Sequence, residues 1–176
     1  MRDIFDPTQP AAWTSAAEKQ KVWDANELVR FTLCCILAGF RAGGFFVLEN
    51  PEKSQLWELE EVRKVLKALQ AVKVLTHYCR WLSEDELIDD CVWLKPTVLA
   101  GDLPGLSELG LLCQPRRWCQ RWRRPHKTLV GKRDGVFWTR LAEPYPRGLC
   151  MAVAHLFRAA LDHLPRAKAA ASTTAV

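Results

Sequence analysis

The 176-residue chain lacks any uncharged apolar run long enough to cross a membrane. The stretch 28–48 comes nearest, but Arg30, Arg41 and the Gly43-Gly44 pair interrupt it, and a charge at bilayer depth is costly. The segment from Met1 to Pro7 has no continuous apolar region of leader type. Regular cysteine spacing is also missing. The seven cysteines cannot pair fully, and Cys34-Cys35 fall inside an apolar helical pattern, so they read as core thiols in a reducing compartment. The expectation is an intracellular protein, cytoplasmic or nuclear, with no membrane partner. No Ser-His-Asp set follows from order or spacing, and Asp102 and Glu108 flank a turn without making a carboxylate pair. No close Cys-x2-Cys pair occurs either. Cys113, Cys119 and His126 are separated by five and then six residues, and a fourth ligand would have to come from Cys91, Cys150 or elsewhere. They are read as core thiols and a surface histidine, and no metal site is nominated.

What the chain does contain is ordinary globular material, 49% hydrophobic and 26% charged, enough for one domain with one core. Ser15 with Glu18 fits a capping box. Val22, Ala25, Val29, Leu33, Ile36 and Phe40 then recur on one helical stripe that Gly43-Gly44 ends. Residues 45–50 read as a strand whose unbroken apolar run, 45–48, is of the kind a central strand needs when both faces are buried. A helix with Leu59, Val62, Val65, Leu66 and Leu69 inward follows. Residues 73–79 and 95–100 read as strands, separated by an acidic insertion over 83–90, and 128–130 and 136–139 as weaker ones. Pro146 opens a last helix carrying Leu149, Val153, Leu156, Ala160 and Leu164 inward. The organisation expected is an N-terminal extension over 1–14, one α/β domain over 15–164 and a frayed tail over 165–176. The few strong strands leave a sheet edge unprotected, which implies a second chain or a missing part of the same one.

Two features carry chemistry. The strand 45–50 ends in Glu49-Asn50-Pro51, a carboxylate and an amide where an open α/β sheet builds its ligand crevice. The segment 109–133 holds eight basic residues and no acidic one, so the net charge of +5 is concentrated there and the rest of the chain is net acidic. Trp118 and Trp122 interleave with Arg116, Arg117, Arg121, Arg123, Arg124 and Lys127 at helical i, i+4 spacing, giving stacking faces beside phosphate-binding cations. The pattern suggests a nucleic-acid partner, DNA or RNA, against the alternative of a solvated basic loop whose two Trp side chains cover a weak core.

The phrase GFFVLENPEKSQLW, with Cys79-Arg80-Trp81, Lys95-Pro96-Thr97, His126 with Gly131, and Tyr145-Pro146-Arg147-Gly148-Leu149-Cys150, resembles the C-terminal half of cytosine-C5 methyltransferase-like domains. The closest resemblance is to divergent versions, some associated with eukaryotic retroelements, in which Glu-Asn-Pro replaces the usual Glu-Asn-Val. It implies a partial Rossmann-like methyltransferase sheet with flanking helices, lacking the N-terminal cofactor-binding half. By resemblance Glu49 binds the flipped cytosine near N3 and Asn50 holds the loop. A carboxyl at N3 shares a proton as charge develops on the ring, and the base must first leave the stack. The family's nucleophile sits in a Pro-Cys pair, and this sequence has no such dipeptide. Its S-adenosylmethionine site needs a Gly-rich loop, and no Gly-x-Gly element precedes the first helix. Cys79, Cys91 and Cys113 follow Glu49-Asn50-Pro51 and cannot take the nucleophile's place. S-adenosylmethionine is therefore implied for the family but not expected to bind this chain alone. The expectation is a methyltransferase-like fragment without independent methyl transfer, or a non-catalytic nucleic-acid-binding or interaction module.

Overall fold

The computed structural model describes residues 14–114 and 117–162. Arg116, His163, Leu164, the 165–176 tail and all but the last residue of the 1–14 extension lie outside the described residues. The chain divides into two compact units, one of residues up to Phe46 together with Lys53–Ala71, the other of Val47–Glu52 together with Val72 onward.

The first unit is helical. Helix α1 spans Ala16–Arg41 and begins at the expected capping box, in which the Ser15 hydroxyl accepts from the Glu18 N–H and the Glu18 carboxylate accepts from the Ser15 N–H at 3.0 Å. Val22, Leu33 and Ile36 are buried along it. The Gly43 and Gly44 N–H groups close back on the Phe40 and Gly39 carbonyls, which ends the helix. Helix α2, Glu60–Ala68, buries Val62 and Leu66 and exposes an ion pair between Arg63 and Glu60.

The second unit carries the sheet. Strands β1 (Val47–Pro51), β2 (Val72–His77) and β3 (Pro96–Gly101) lie in the order β1-β3-β2, and β3 runs antiparallel to both neighbours. This overturns the parallel Rossmann-like sheet: the described sheets are small and antiparallel. The cause is the connection after β2, where residues 78–95 turn the chain back so that β3 enters between the other two in the opposite sense. The central position thus belongs to β3, whose Leu99 and Ala100 are buried. β1 is an edge strand, half-buried rather than covered on both faces. Its apolar letters satisfied the pattern for a central strand without supplying one.

The remaining elements are short. β4 (Trp118–Cys119) pairs with β5 (Arg124–Pro125), and β6 (Lys132–Arg133) with β7 (Val136–Phe137). Trp118 and Trp122 therefore sit on a hairpin and its loop, not on a helix. Asp134 and Gly135, both at positive φ, make the tight turn between β6 and β7. A single helical turn, α3 (Trp138–Leu141), precedes α4 (Arg147–Asp162). Pro146 is fully buried at the start of α4 and accepts from the Cys150 N–H at 3.1 Å.

Candidate functional site

Antiparallel register puts directly opposed residues on one sheet face. Glu49 opposes Leu99, which opposes Val74, and Pro51 opposes Thr97, which opposes Thr76. Glu49 and Thr97 are thus diagonal neighbours on the same face. The fully buried Thr97 hydroxyl donates to Glu49 Oε1 and also lies 3.1 Å from the Asn50 carbonyl oxygen. The Tyr78 hydroxyl, from the 3-10 turn 78–80 that ends β2, approaches Oε1 at 3.5 Å. The Tyr145 hydroxyl donates to Oε2 at 2.6 Å. Three hydroxyls from three segments therefore hold one carboxylate. Asn50 enters through its backbone carbonyl, which accepts from Thr97.

Electrostatics follow from this geometry. Burial pushes the fully enclosed Tyr78 phenol well above its ordinary range, and the Glu49 charge adds to the effect. Burial, then the hydrogen bond to Glu49 and its charge, pushes Tyr145 up to about 12. Lys95 lies 4.5 Å over the Tyr78 ring and donates to the Ala142 and Glu143 carbonyls at 2.8 and 3.2 Å. Burial lowers its ammonium below the ordinary value, against the opposing pull of Glu49 and Glu143. By gripping those carbonyls, Lys95 ties the segment bearing Tyr145 to the start of β3.

Beside Glu49 and Tyr145 is a cavity of about 230 Å³ walled by Val47, Leu99, Leu149, Val153 and Phe157. An ionised carboxylate offers about four acceptor positions. Three are taken, leaving one on Oε2 for a ligand donor. A lone acidic acceptor against apolar walls suits a small ring bearing N–H groups.

The basic segment divides into two sets. Arg121 donates to the Arg80 carbonyl and stacks 5.3 Å from the Trp122 ring, while the Trp122 indole donates to the Cys79 carbonyl at 3.0 Å. Arg124 meets the Asp90 carbonyl at 2.6 Å and its carboxylate at 3.4 Å, and Lys127 lies 4.7 Å over the Trp138 ring. These side chains brace the hairpin, and the acidic insertion balances part of their charge. Arg117, Trp118 and Arg123 face solvent. Arg116 lies outside the described residues.

The structure also brings Cys113, Cys119 and His126 together with Cys79, their ligand atoms all within 4.8 Å of one another. The three cysteines are fully buried, as core thiols, and His126 is half-buried rather than on the surface. Burial, reinforced by the Cys119 and Cys113 sulfurs, drives the Cys79 thiol well above its ordinary value. Cys79 supplies the ligand that spacing could not, because 33 residues separate it from Cys113. Tyr78, Thr97 and Tyr145 were likewise missed as carboxylate partners, although Thr97 and Tyr145 stand in phrases that carried the resemblance.

Comparison with family models, characterised proteins and solved structures finds no match to this chain.

Proposed function

We propose that this chain is a DNA-facing fragment of the cytosine-C5 methyltransferase-like kind that holds an extruded pyrimidine against Glu49 and does not transfer methyl groups alone. The reading rests on the site and not on the sheet, since function belongs to sites that different folds can carry. One observation carries it: a carboxylate held by Thr97, Tyr78 and Tyr145, with acceptor capacity left over, beside an apolar cavity of about 230 Å³. That volume lies below the roughly 300–1,000 Å³ of sites for drug-sized ligands and suits a single flat ring. Cytosine presents an amino donor beside N3, and that N–H would take the one acceptor position left on Glu49 Oε2. Thymine offers a carbonyl in place of the amino group, facing the carboxylate with another acceptor.

Fluorescence anisotropy with duplexes carrying one unpaired cytosine or one unpaired thymine tests this. Such bases cost little to extrude. Cytosine is expected to be preferred at least tenfold, with the preference lost in Glu49→Gln. Equal binding of the two, or a preference untouched by that substitution, overturns the reading. S-adenosylmethionine is expected not to bind the chain alone, and calorimetric detection of binding would overturn that part.

The exposed Arg117, Trp118 and Arg123 favour a second reading, a nucleic-acid-binding module that does not use Glu49. In that case Glu49→Gln leaves affinity intact and neutralising the two arginines abolishes it.

A further inference from the structure

The segment 111–130 has a problem of stability. Its described residues include only four in strands, yet Cys113 and Cys119 are fully buried within it. So little regular structure rarely holds itself together without a covalent or metal staple. We infer that Cys79, Cys113, Cys119 and His126 bind one zinc ion, a structural centre that fastens the basic hairpin to the end of β2. This site is separate from the Glu49 cavity, and the inference does not depend on the function proposed above.

The donor set argues for zinc. Three thiolates and one imidazole make a closed tetrahedral site with no position for water, as structural zinc requires. Zinc–sulfur bonds of about 2.3 Å and zinc–nitrogen bonds of about 2.0–2.1 Å place ligand atoms roughly 3.4–3.8 Å apart, so a group already within 4.8 Å needs only a small contraction. A disulfide would use two of the sulfurs and leave the third, with the histidine, unexplained. Iron–sulfur clusters ordinarily call for a fourth thiolate.

The surroundings hold the ligands in place. The Cys113 N–H donates to His77 Nδ1 at 2.9 Å, which fixes the backbone at that ligand and assigns the buried His77 ring its acceptor nitrogen there. The Gln120 N–H donates to Cys113 Sγ at 3.4 Å, the kind of contact that stabilises a thiolate. The Cys119 backbone pairs with Arg124 across the hairpin. Trp122 also clamps the Cys79 carbonyl, and the Lys127 N–H meets the Val92 carbonyl at 2.6 Å beside His126. Each ligand thus sits on backbone tied down by a neighbour.

The test uses the full chain, produced with added zinc and purified under reducing conditions without chelator. Elemental analysis should find one equivalent of zinc. Titration of the metal-free chain with Co²⁺ should give sulfur-to-cobalt charge-transfer absorption and the intense visible bands of a tetrahedral site. Cys91→Ser should retain the full equivalent, and Cys119→Ser should lose it. His126→Cys should retain metal and shift the cobalt bands, a result independent of whether Cys119→Ser folds. Absence of zinc together with a spectrum of hydrated Co²⁺ overturns the site. Loss of metal in Cys91→Ser, or unshifted bands in His126→Cys, overturns this ligand set. A disulfide found among these cysteines under the same reducing conditions would also overturn it.

Discussion

Tyr145 and Thr97 hold the same carboxylate from opposite circumstances: Thr97 is fully buried, whereas Tyr145 is 52% exposed and reaches Glu49 Oε2 at 2.6 Å. Hydrogen bonds to charged groups contribute about 1.5–3 kcal/mol when water cannot replace the donor. Thr97→Val should therefore cost about 1.5–3 kcal/mol, while Tyr145→Phe, where water can enter, should cost less than about 1 kcal/mol. Urea denaturation of the two variants measures the difference. Equal costs would mean that the burial of Thr97 does not decide the strength of its bond.

The same contact should be visible in a titration. Tyr145 has its ionisation raised to about 12, first by burial and then by Glu49. A group with a raised folded-state value contributes stability that is complete below its unfolded value of 10 and is lost as pH rises through about 12. The chain has only two tyrosines, so difference absorbance of wild type against Tyr145→Phe isolates this one. Glu49→Gln should move its midpoint back toward 10, the ordinary phenol value. A midpoint unaffected by that change would remove Glu49 as a cause.

Helix α4 approaches the turn after β2 so closely that a Cβ at Gly148 would lie 2.5 Å from the Trp81 carbonyl oxygen. Backbone cannot rotate out of the way as a side chain can. Gly148→Ala should destabilise the protein by about 1–3 kcal/mol, the usual cost of overpacking, although alanine is the better helix former. Because α4 supplies Leu149, Val153 and Phe157 to the cavity wall, ligand affinity should fall as well. A thermal midpoint equal to or above that of wild type would contradict the close approach.

These contacts show where the sequence was readable. Ser15 and Glu18 form the capping box that their identities announce, and Pro146 opens α4, because capping and proline geometry are local properties. The strand segments 45–50, 73–79 and 95–100 fall close to β1, β2 and β3, whereas 128–130 carries no strand and 136–139 is a strand only over Val136–Phe137 before α3 begins. Their partners were not legible, since an apolar run such as 45–48 records burial and not which neighbour provides it. The edge position of β1 depends on the turn made far along the chain at 78–95. Asp134-Gly135 is a local hairpin signal that was overlooked beside the basic segment. Trp122 illustrates a deeper limit. Its i, i+4 relation to Trp118 fits a helix equally well, and only the pairing of Cys119 with Arg124 makes it part of a hairpin loop.

Glu86 links the acidic insertion to α4. Its Oε1 accepts from the Arg147 N–H at 2.7 Å, and Oε2 accepts from the Ser83 N–H and hydroxyl at 2.8 and 2.7 Å. Burial acts to raise its ionisation, but the Arg147 and Ser83 amides and the Ser83 hydroxyl outweigh it and hold the carboxyl below 4.5. For a depressed carboxyl the stabilisation is complete above the unfolded value, here 4.5, and is lost as pH falls through the lower folded one. Glu86→Gln should be less stable than wild type at neutral pH by about 1 kcal/mol, the usual worth of a helix cap. The gap should close on acidification below that range. Parallel denaturation curves at neutral and acid pH check it, and a gap independent of pH would show that the charge contributes nothing.

The two sets of basic residues in the hairpin should separate in a salt titration. Each phosphate contact released from DNA changes the slope of log affinity against log salt by about 0.9 for duplex and about 0.7 for a single strand. Arg117 and Arg123 face solvent, so neutralising both should lower the slope by nearly two contacts while leaving the thermal midpoint unchanged. Arg121 and Arg124 are engaged with the Arg80 carbonyl and with Asp90. Neutralising those two should lower the midpoint and weaken binding mainly through loss of the hairpin, with a smaller change in slope for the fraction that remains folded. If all four substitutions change the slope equally without affecting the midpoint, the internal contacts of Arg121 and Arg124 yield to phosphate, and the whole segment acts as one electrostatic surface.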